Sequence, residues 1–179
     1  MKRLFALALA MLLALSLAAC GGGGDETKGS SSVADSSHPN PAAGSKYVLT
    51  YKNCPLPMNA DFAPLLDFLG EPDSYFEAAS CAFDGLDKTY TYPGVEIITY
   101  PDGDVDRVSS VRILDGSVST PEGVTVGSTL ADVTAAYGED YQEMGLQVAY
   151  EDGDATLSVL FDGDAAVSVE YTALNDLLG

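Results

Sequence analysis

Histidine is nearly absent from the 179-residue sequence, and the one histidine, His38, lies beside Pro39 in a stretch rich in glycine and serine. A catalytic histidine must be held at a fixed distance from its partner, which such a stretch cannot provide. This excludes Ser/His/Asp and Cys/His catalysis and histidine-based zinc sites. We therefore predict neither enzyme activity nor a cofactor. A hydrolase that works through paired carboxylates is the alternative that needs no histidine.

Positive charge is also scarce. The chain has 8 lysines and arginines against 27 acidic residues, and its formal net charge is −19. No lysine or arginine follows Arg112. Phosphate groups repel such a chain, so nucleic acids and anionic lipid surfaces are excluded as electrostatic partners. Cationic partners and metal ions remain, as does a generally acidic surface suited to an extracellular protein.

Long apolar runs are missing except at the start of the chain. Residues 4–17 are apolar, follow Lys2 and Arg3, and lead into Leu17-Ala18-Ala19-Cys20. A permanent transmembrane helix needs about 20 residues, so this run is typical of a secretion signal. The last four residues resemble the lipobox of bacterial lipoproteins, which implies a signal peptide over residues 1–19 and a diacylglyceryl group on Cys20. An ordinary signal peptide that ends beside a cysteine is the alternative.

The next segment has almost no apolar side chains. Residues 20–46 contain four consecutive glycines, a run of serines, Pro39 and Pro41. This composition predicts a disordered tether behind the lipidated cysteine. As a flexible coil it would hold the rest of the chain about 25 to 30 Å from its anchor. We expect the protein on the outer face of the cytoplasmic membrane, anchored by lipid.

Few cysteines remain once Cys20 is lipidated. Cys54 and Cys81 are the other two, and an even pair in an exported protein is typical of a disulfide. We therefore predict a Cys54–Cys81 disulfide. A reactive Cys81 is the alternative, but it lacks a histidine that could lower the pKa of its thiol.

Two segments that resemble each other organise the remaining sequence. In the first, Asn59 or Asp61 caps a short helix that ends at Gly70. In the second, Ser128 is a good N-cap and Thr129 with Asp132 has the spacing of a capping box, and the helix ends at Gly138. After each helix come short strands with alternating apolar residues. The predicted strands cover residues 47–51, 90–92, 95–100, 108–114, 148–150, 156–161 and 166–171.

These patterns predict an α+β fold of two tandem units, each a short helix followed by an antiparallel β-meander. The first unit covers residues 47–115 and the second residues 116–179. Residues 74–88 read as an insertion in the first unit. Residues 174–178 have room for one last helical turn.

Acidic turns separate several of the strands. Asp-Gly is a strong hairpin-turn signal, but closely spaced carboxylates also suit calcium. A divalent-cation site is therefore the alternative reading of these turns, although no stretch matches the EF-hand pattern. The residues concerned are Asp102, Asp104, Asp152, Asp154, Asp162 and Asp164.

The capped helix before a meander resembles the repeat of β-lactamase inhibitory proteins and the unit found in the small lipoprotein of the outer-membrane β-barrel assembly machine. Three stretches, residues 80–88, 99–103 and 119–123, resemble uncharacterised lipoproteins of Gram-positive anaerobes. The tandem-unit resemblance covers residues 47–173 and implies protein recognition without chemistry.

Binding is therefore the predicted function: a lipid-anchored extracytoplasmic module that recognises another protein or a cell-envelope component. Tyrosines are favoured at interfaces because they bury area while keeping a polar tip. The candidate contact residues are Tyr75, Phe76, Tyr90, Tyr92 and Tyr141. The alternative function is divalent-cation binding through the acidic turns.

Overall fold

The computed structural model of the chain describes residues 44–174. In these residues α1 (Ala63–Leu69) lies between the second and third strands, and α2 (Leu130–Tyr137) between the sixth and seventh. No helix in this part of the chain is long and apolar enough to cross a membrane. The predicted signal peptide, Cys20, His38 and most of the tether lie outside the described residues. The strands are β1 Leu49–Tyr51, β2 Cys54–Leu56, β3 Ser74–Ala79, β4 Leu86–Tyr92, β5 Val95–Asp102, β6 Val105–Ile113, β7 Gln142–Met144, β8 Gln147–Asp152, β9 Ala155–Asp162 and β10 Ala165–Ala173.

Eight of these strands form one antiparallel sheet, in the order β3-β4-β5-β6-β10-β9-β8-β7. In the middle of the sheet β6 pairs with β10, with Ile113 opposite Val169 and Ser110 opposite Thr172. The outermost strands are β3 and β7, while β1 and β2 form a separate hairpin.

This architecture shows that the predicted fold class is wrong. The sequence predicts an α+β fold of two tandem helix-and-meander units, whereas the described residues form a mostly β fold around one large sheet. The helices have only 7 and 8 residues. Buried residues from Tyr47 to Ala173 belong to one hydrophobic cluster. A separate first unit would leave the backbone groups of β6 unpaired at an edge, and pairing with β10 removes that edge.

The core lies on one face of the sheet. Side chains alternate along each strand, so every second residue points to this face. Both helices and the β1–β2 hairpin cover it, and helices this short depend on such packing for their stability. Tyr51 of the hairpin donates a hydrogen bond of 2.9 Å to the carbonyl of Pro93. Fully buried core residues include Leu49, Leu56, Val95, Ile97, Val111, Leu157, Val159 and Val169.

Both helices end where the sequence predicts, each at a glycine whose carbonyl accepts a hydrogen bond from a core tyrosine. Tyr92 donates to Gly70 at 3.0 Å and Tyr150 donates to Gly138 at 2.9 Å. The two glycines have φ angles of 78° and 91°, which side chains disfavour. These hydrogen bonds connect the end of each helix to the sheet.

The start of α2 has the predicted capping box. Thr129 is the N-cap: its hydroxyl accepts from the backbone of Asp132, while the Asp132 carboxylate accepts from the backbone of Thr129. Ser128, the predicted N-cap, instead accepts a hydrogen bond from the backbone of Thr125.

The predicted caps of α1 are wrong, because its N-cap is Phe62, whose side chain makes no capping hydrogen bond. Asp61 accepts a hydrogen bond from the backbone of Ala63 at 3.0 Å. The backbone N–H of Asn59 donates to the carbonyl of Val108 and so ties this segment to β6.

Residues 74–88, which read as an insertion in the sequence, form β3, a turn and the beginning of β4. The two strands pair from Ser74 opposite Thr91 to Ala79 opposite Leu86. All six residues of β3 are exposed. An edge strand of this kind lacks the alternation of apolar and polar residues by which strands are recognised.

The sheet has two ends, named here after the residues that mark them. At the Asp152 end, the backbone of Lys46 donates to the carboxylate of Asp152 at 2.7 Å, and Leu174 N–H donates to the carbonyl of Asp154 at 2.8 Å. The first and last described residues therefore lie at this end. At the opposite, Leu146 end, Phe161 N–H donates to the carbonyl of Leu146. The 8 residues of β9 separate the two ends by about 25 Å.

Candidate functional site

A groove opens at the Leu146 end, between α2 and the outermost strand β7. We call it the α2–β7 groove, and its volume is about 550 Å³. Apolar pockets of about 300 to 1,000 Å³ with a few polar groups are typical ligand sites. The apolar lining comprises Leu130, Tyr141, Leu146, Val148 and Phe161, and the polar lining includes Thr129, Glu143 and Asp164.

The groove lies beside the first turn of α2, where Thr129, Leu130 and Ala131 line it and leave part of the core face of the sheet uncovered. Val148 and Phe161 are core-face residues of the sheet and form the floor, with exposed fractions of 4% and 8%. The walls are Leu130, at the first turn of α2, and Leu146, at the tip between β7 and β8. Their exposed fractions are 41% and 67%. Large aliphatic side chains thus stay open to water on both sides of an apolar floor, which is a mark of interaction sites.

The charged residues that line the groove are all acidic. Glu143 lies opposite Val148 in the β7–β8 pairing, so its side chain is on the groove side of the sheet. Asp164 lies in the β9–β10 turn at the same end. Among the described residues neither carboxylate has an ion-pair partner. In the whole sequence 13 acidic residues and no lysine or arginine follow Arg112.

Tyr141 is the one predicted contact residue that lines the groove. It is half-buried and packs edge-on against Tyr150, with 5.7 Å between ring centroids. Tyr150 in turn contacts Tyr137 and Tyr47. The ring of Tyr141 is therefore held in place by aromatic packing and presents a rigid wall to the groove.

Tyr75 and Phe76 lie at the other edge of the sheet, on β3. Their exposed fractions are 49% and 66%, and as neighbours in a strand they point to opposite faces. The hydroxyl of Tyr75 contacts the carboxylate of Glu77. Six strands lie between β3 and β7, the strand that follows Tyr141, so the structure does not unite the predicted contact residues in one surface.

Tyr90 and Tyr92 are core residues and are not available as contacts. Tyr90 packs between Phe62 and Tyr75, with ring centroids at 4.6 and 5.1 Å. Tyr92 is 2% exposed and packs against Tyr51. Burial raises the pKa of both phenols, so both remain protonated at neutral pH.

Polar contacts between α2 and the segment before it stabilise the fold and do not form part of the groove. Tyr137 donates a hydrogen bond of 2.6 Å to Glu122, in the segment before the helix. Burial raises the pKa of Tyr137 and that of the nearby Tyr171. The protonated hydroxyl of Tyr137 therefore holds Glu122 and the segment before α2 against the helix.

The acidic turns do not converge on one site. The turns with Gly103 and Gly153 lie at the Asp152 end, and the turn with Gly163 lies at the Leu146 end. No group of three or more His, Cys, Asp or Glu residues within 44–174 is placed to hold a metal ion. The cation-binding alternative therefore gains no support. The contacts made are Asp102 with Arg107, Asp152 with Lys46, and Asp154 with Asn59, while Asp104, Asp162 and Asp164 complete the turns.

The predicted disulfide is absent, since Cys54 and Cys81 are both free. Cys54 is buried in β2 and lies opposite Tyr51 of β1. The hydroxyl of Tyr51 donates to Pro93 in the turn after β4, so Cys54 lies near that turn. Cys81 is exposed in the turn before β4. The 7 residues of β4 put these turns about 20 Å apart, and a disulfide needs Cα atoms within about 7 Å.

Four of the apolar groove residues were not among the predicted contacts. Three of them, Val148, Leu130 and Phe161, have the apolar spacing of ordinary core positions. Only Leu146 could have been recognised from the sequence as a contact residue. It follows Gly145 in a hairpin turn, where a large aliphatic side chain has nothing to pack on.

Fold and groove together define a mostly β domain, built around one eight-stranded sheet, with an open apolar site. No known family model and no curated protein matches the sequence. Among solved structures, the chain is similar to an extracellular protein containing an SCP domain from Bacillus anthracis, with a TM-score of 0.49, 16% identity and coverage of 68% of this chain and 45% of that one. It is also similar to a cysteine-rich secretory protein from Staphylococcus aureus, with a TM-score of 0.45, 15% identity and coverage of 65% and 44%. The chain spans less than half of each, and likeness at this level carries no conclusion about function.

Proposed function

We propose that the chain is a lipid-anchored, extracytoplasmic binding module that holds a partner protein or another cell-envelope component in the α2–β7 groove. Cys20 is the proposed lipid attachment site, on the grounds of the Leu17-Ala18-Ala19-Cys20 motif and the apolar run before it. The module has no catalytic role of its own.

The observation that carries the proposal is the apolar groove itself. Leu130 and Leu146 together leave a large aliphatic surface in water, and burying apolar surface stabilises a complex by about 25 cal/mol per Å². Since Tyr141 and the sheet hold the groove in shape, little ordering of this chain is needed when a partner binds.

The position of the groove suits a tethered module. Lys46 lies at the Asp152 end, so the segment that leads back to Cys20 joins the domain about 25 Å from the groove. A lipid on Cys20 would thus be attached through the end of the sheet opposite the groove. A partner in the cell envelope could reach it without displacing the anchor.

The anchor and the groove are tested separately. For the anchor, the full-length protein and its Cys20→Ser variant are expressed in a Gram-positive host, and membranes are separated from the culture medium. We expect the unchanged protein in the membrane fraction with a mass increase on Cys20, and the variant in the medium. An unmodified Cys20 on membrane-bound protein would contradict the anchor.

For the groove, a photo-reactive amino acid replaces Leu146 in the living host. The matched control carries it at Leu160, which is 40% exposed on the opposite face of the same sheet. We expect a discrete cross-linked product from position 146 that is absent from position 160 and is lost when Leu130→Ser is added. Equal products from both positions, or none from either, would refute the groove as the binding site.

A further inference from the structure

Two features of the α2–β7 groove specify its occupant more closely: the acidic residues at its rim, Glu143 and Asp164, and the outer edge of β7, which is unpaired in the described residues. This inference rests on the proposed binding function. We propose that the occupant is an extended peptide segment of a partner protein that pairs with the outer edge of β7 and carries a lysine or arginine beside an apolar side chain.

The apolar part of the segment follows from the floor and walls. Val148 and Phe161 offer an apolar floor, and Leu130 and Leu146 are the two exposed walls. An aliphatic or aromatic side chain placed between these walls buries its own surface and that of both leucines. A uniformly polar segment would leave the walls in water and gain nothing from them.

The positive charge follows from the rim. Glu143 and Asp164 line the groove, and neither has an ion-pair partner among the described residues. A ligand that covers them without supplying a cation must remove two carboxylates from water without compensation. A lysine or arginine offers charge-assisted hydrogen bonds in exchange.

The extended form follows from the edge of the sheet. β7 is the outermost strand, and all three of its residues are exposed. Its outer backbone groups face no other strand of the described chain. A peptide that adds a strand there satisfies these groups, and every second side chain of that strand points to the face that holds the groove.

Charge favours a basic peptide over two other candidate occupants of the groove, a second copy of the chain and an anionic lipid surface. A second copy of the chain that docked through its own groove would place acidic surface on acidic surface, because no lysine or arginine follows Arg112 in either copy. An anionic lipid surface is repelled for the same reason. A basic peptide segment is attracted by the charge that repels both.

The test selects peptides from a random twelve-residue display library on the full-length protein held in detergent micelles. We expect selected peptides to share a lysine or arginine next to, or two residues from, a large apolar residue. Affinity for the best peptide should fall about tenfold in Glu143→Gln/Asp164→Asn, as expected for the loss of charge-assisted contacts at a partly solvated rim. It should also fall on raising the salt concentration from 50 to about 500 mM, because screening shortens to a few Å.

The matched control is Glu139→Gln/Glu151→Gln, which removes the same charge outside the groove and should leave affinity within about twofold. Thermal melting checks that each variant is folded. To test strand pairing, the best peptide is N-methylated at successive positions. Methyl groups at alternate positions should abolish binding, and those between them should not.

The outcomes separate this inference from the proposed function. Selection of neutral or acidic peptides, equal loss in both double variants, failure to select any peptide, or indifference to N-methylation would overturn the inference. Cross-linking at position 146 would still stand in each of those cases. Loss of that cross-link would instead remove the proposed function and the inference together.

Discussion

Cys81 should react with iodoacetamide in the folded protein, and Cys54 should not. Cys81 is exposed, whereas Cys54 is 1% exposed in β2. Burial also raises the pKa of the Cys54 thiol, so even less of it is the reactive thiolate. The two thiols differ both in access and in reactivity.

The size of the difference follows from what must open before Cys54 can be labelled. Leu56, two residues further along β2, and Leu49, its partner in β1, are fully buried in the core, so exposing Cys54 disrupts the packing of the β1–β2 hairpin on the sheet. If that opening costs about 5 kcal/mol, the low end of the stability of ordinary domains, labelling of Cys54 is slowed about 5,000-fold relative to an exposed thiol. In 6 M guanidinium chloride the difference should vanish, because both thiols are then exposed.

The assay is a time course of labelling followed by mass spectrometry of the two cysteine-containing peptides. Adding a reductant before labelling should change neither rate, since neither cysteine is in a disulfide. If both peptides stayed unlabelled under denaturing conditions until the reductant was added, the two cysteines would be bonded to each other. The register of β1, β2 and β4 would then have to be different.

Three further predictions concern stability near the helices, measured by urea unfolding. Tyr150→Phe removes the 2.9 Å hydrogen bond to Gly138 and should lower the free energy of unfolding by about 1 kcal/mol; Tyr141→Phe, which removes a half-buried hydroxyl from the groove wall, is the control and should change it much less. Thr129→Ala removes the N-cap of α2 and should lower the free energy of unfolding by about 1 kcal/mol. Thr129→Ser, which keeps the capping hydroxyl, is the comparison; equal losses in the two variants would mean that the capping hydrogen bond contributes nothing. The backbone N–H and then the hydroxyl of Thr129 lower the pKa of Asp132 below 3.8, so this carboxylate stabilises the fold above that pH and the stabilisation is lost as the pH falls through the lowered pKa. The difference in unfolding free energy between the unchanged protein and Asp132→Asn should therefore narrow below about pH 4, and a constant difference from pH 7 to 2.5 would contradict the capping box.

Local features of the fold could be predicted from local sequence. Gly70 and Gly138 end the helices because few other residues accept their backbone angles. Thr129 and Asp132 form a capping box because their spacing brings each side chain to the other's backbone. The Asp-Gly pairs make hairpin turns, with Gly103, Gly153 and Gly163 in the left-handed region. Each of these features is decided within a few residues.

The continuity of the sheet could not be predicted in the same way. The pairing of Ile113 with Val169 joins residues far apart in the sequence, and no turn or spacing near either one specifies the other. β3 escaped detection because all six of its residues are exposed, so burial imposes no alternation on its sequence. The fold class was wrong because it depends on these long-range pairings.

Only part of the candidate site was visible in the sequence. Tyr141 was a predicted contact, and it lines the groove. Leu130, Leu146 and Phe161 come from a helix, a hairpin tip and a strand, and they meet only because β7, β8 and β9 lie side by side and the start of α2 lies next to them. A site assembled from separate elements leaves no motif along the chain.

The meeting of Lys46 and Leu174 at one end of the sheet has a practical consequence. A fluorescent protein or affinity tag attached C-terminally follows the chain out of the sheet at Leu174, the end at which Lys46 enters it. Such a label would stay clear of Leu146 and of the outer edge of β7. The protein can therefore be imaged or immobilised through its C-terminus while the opposite pole is left free for whatever docks there.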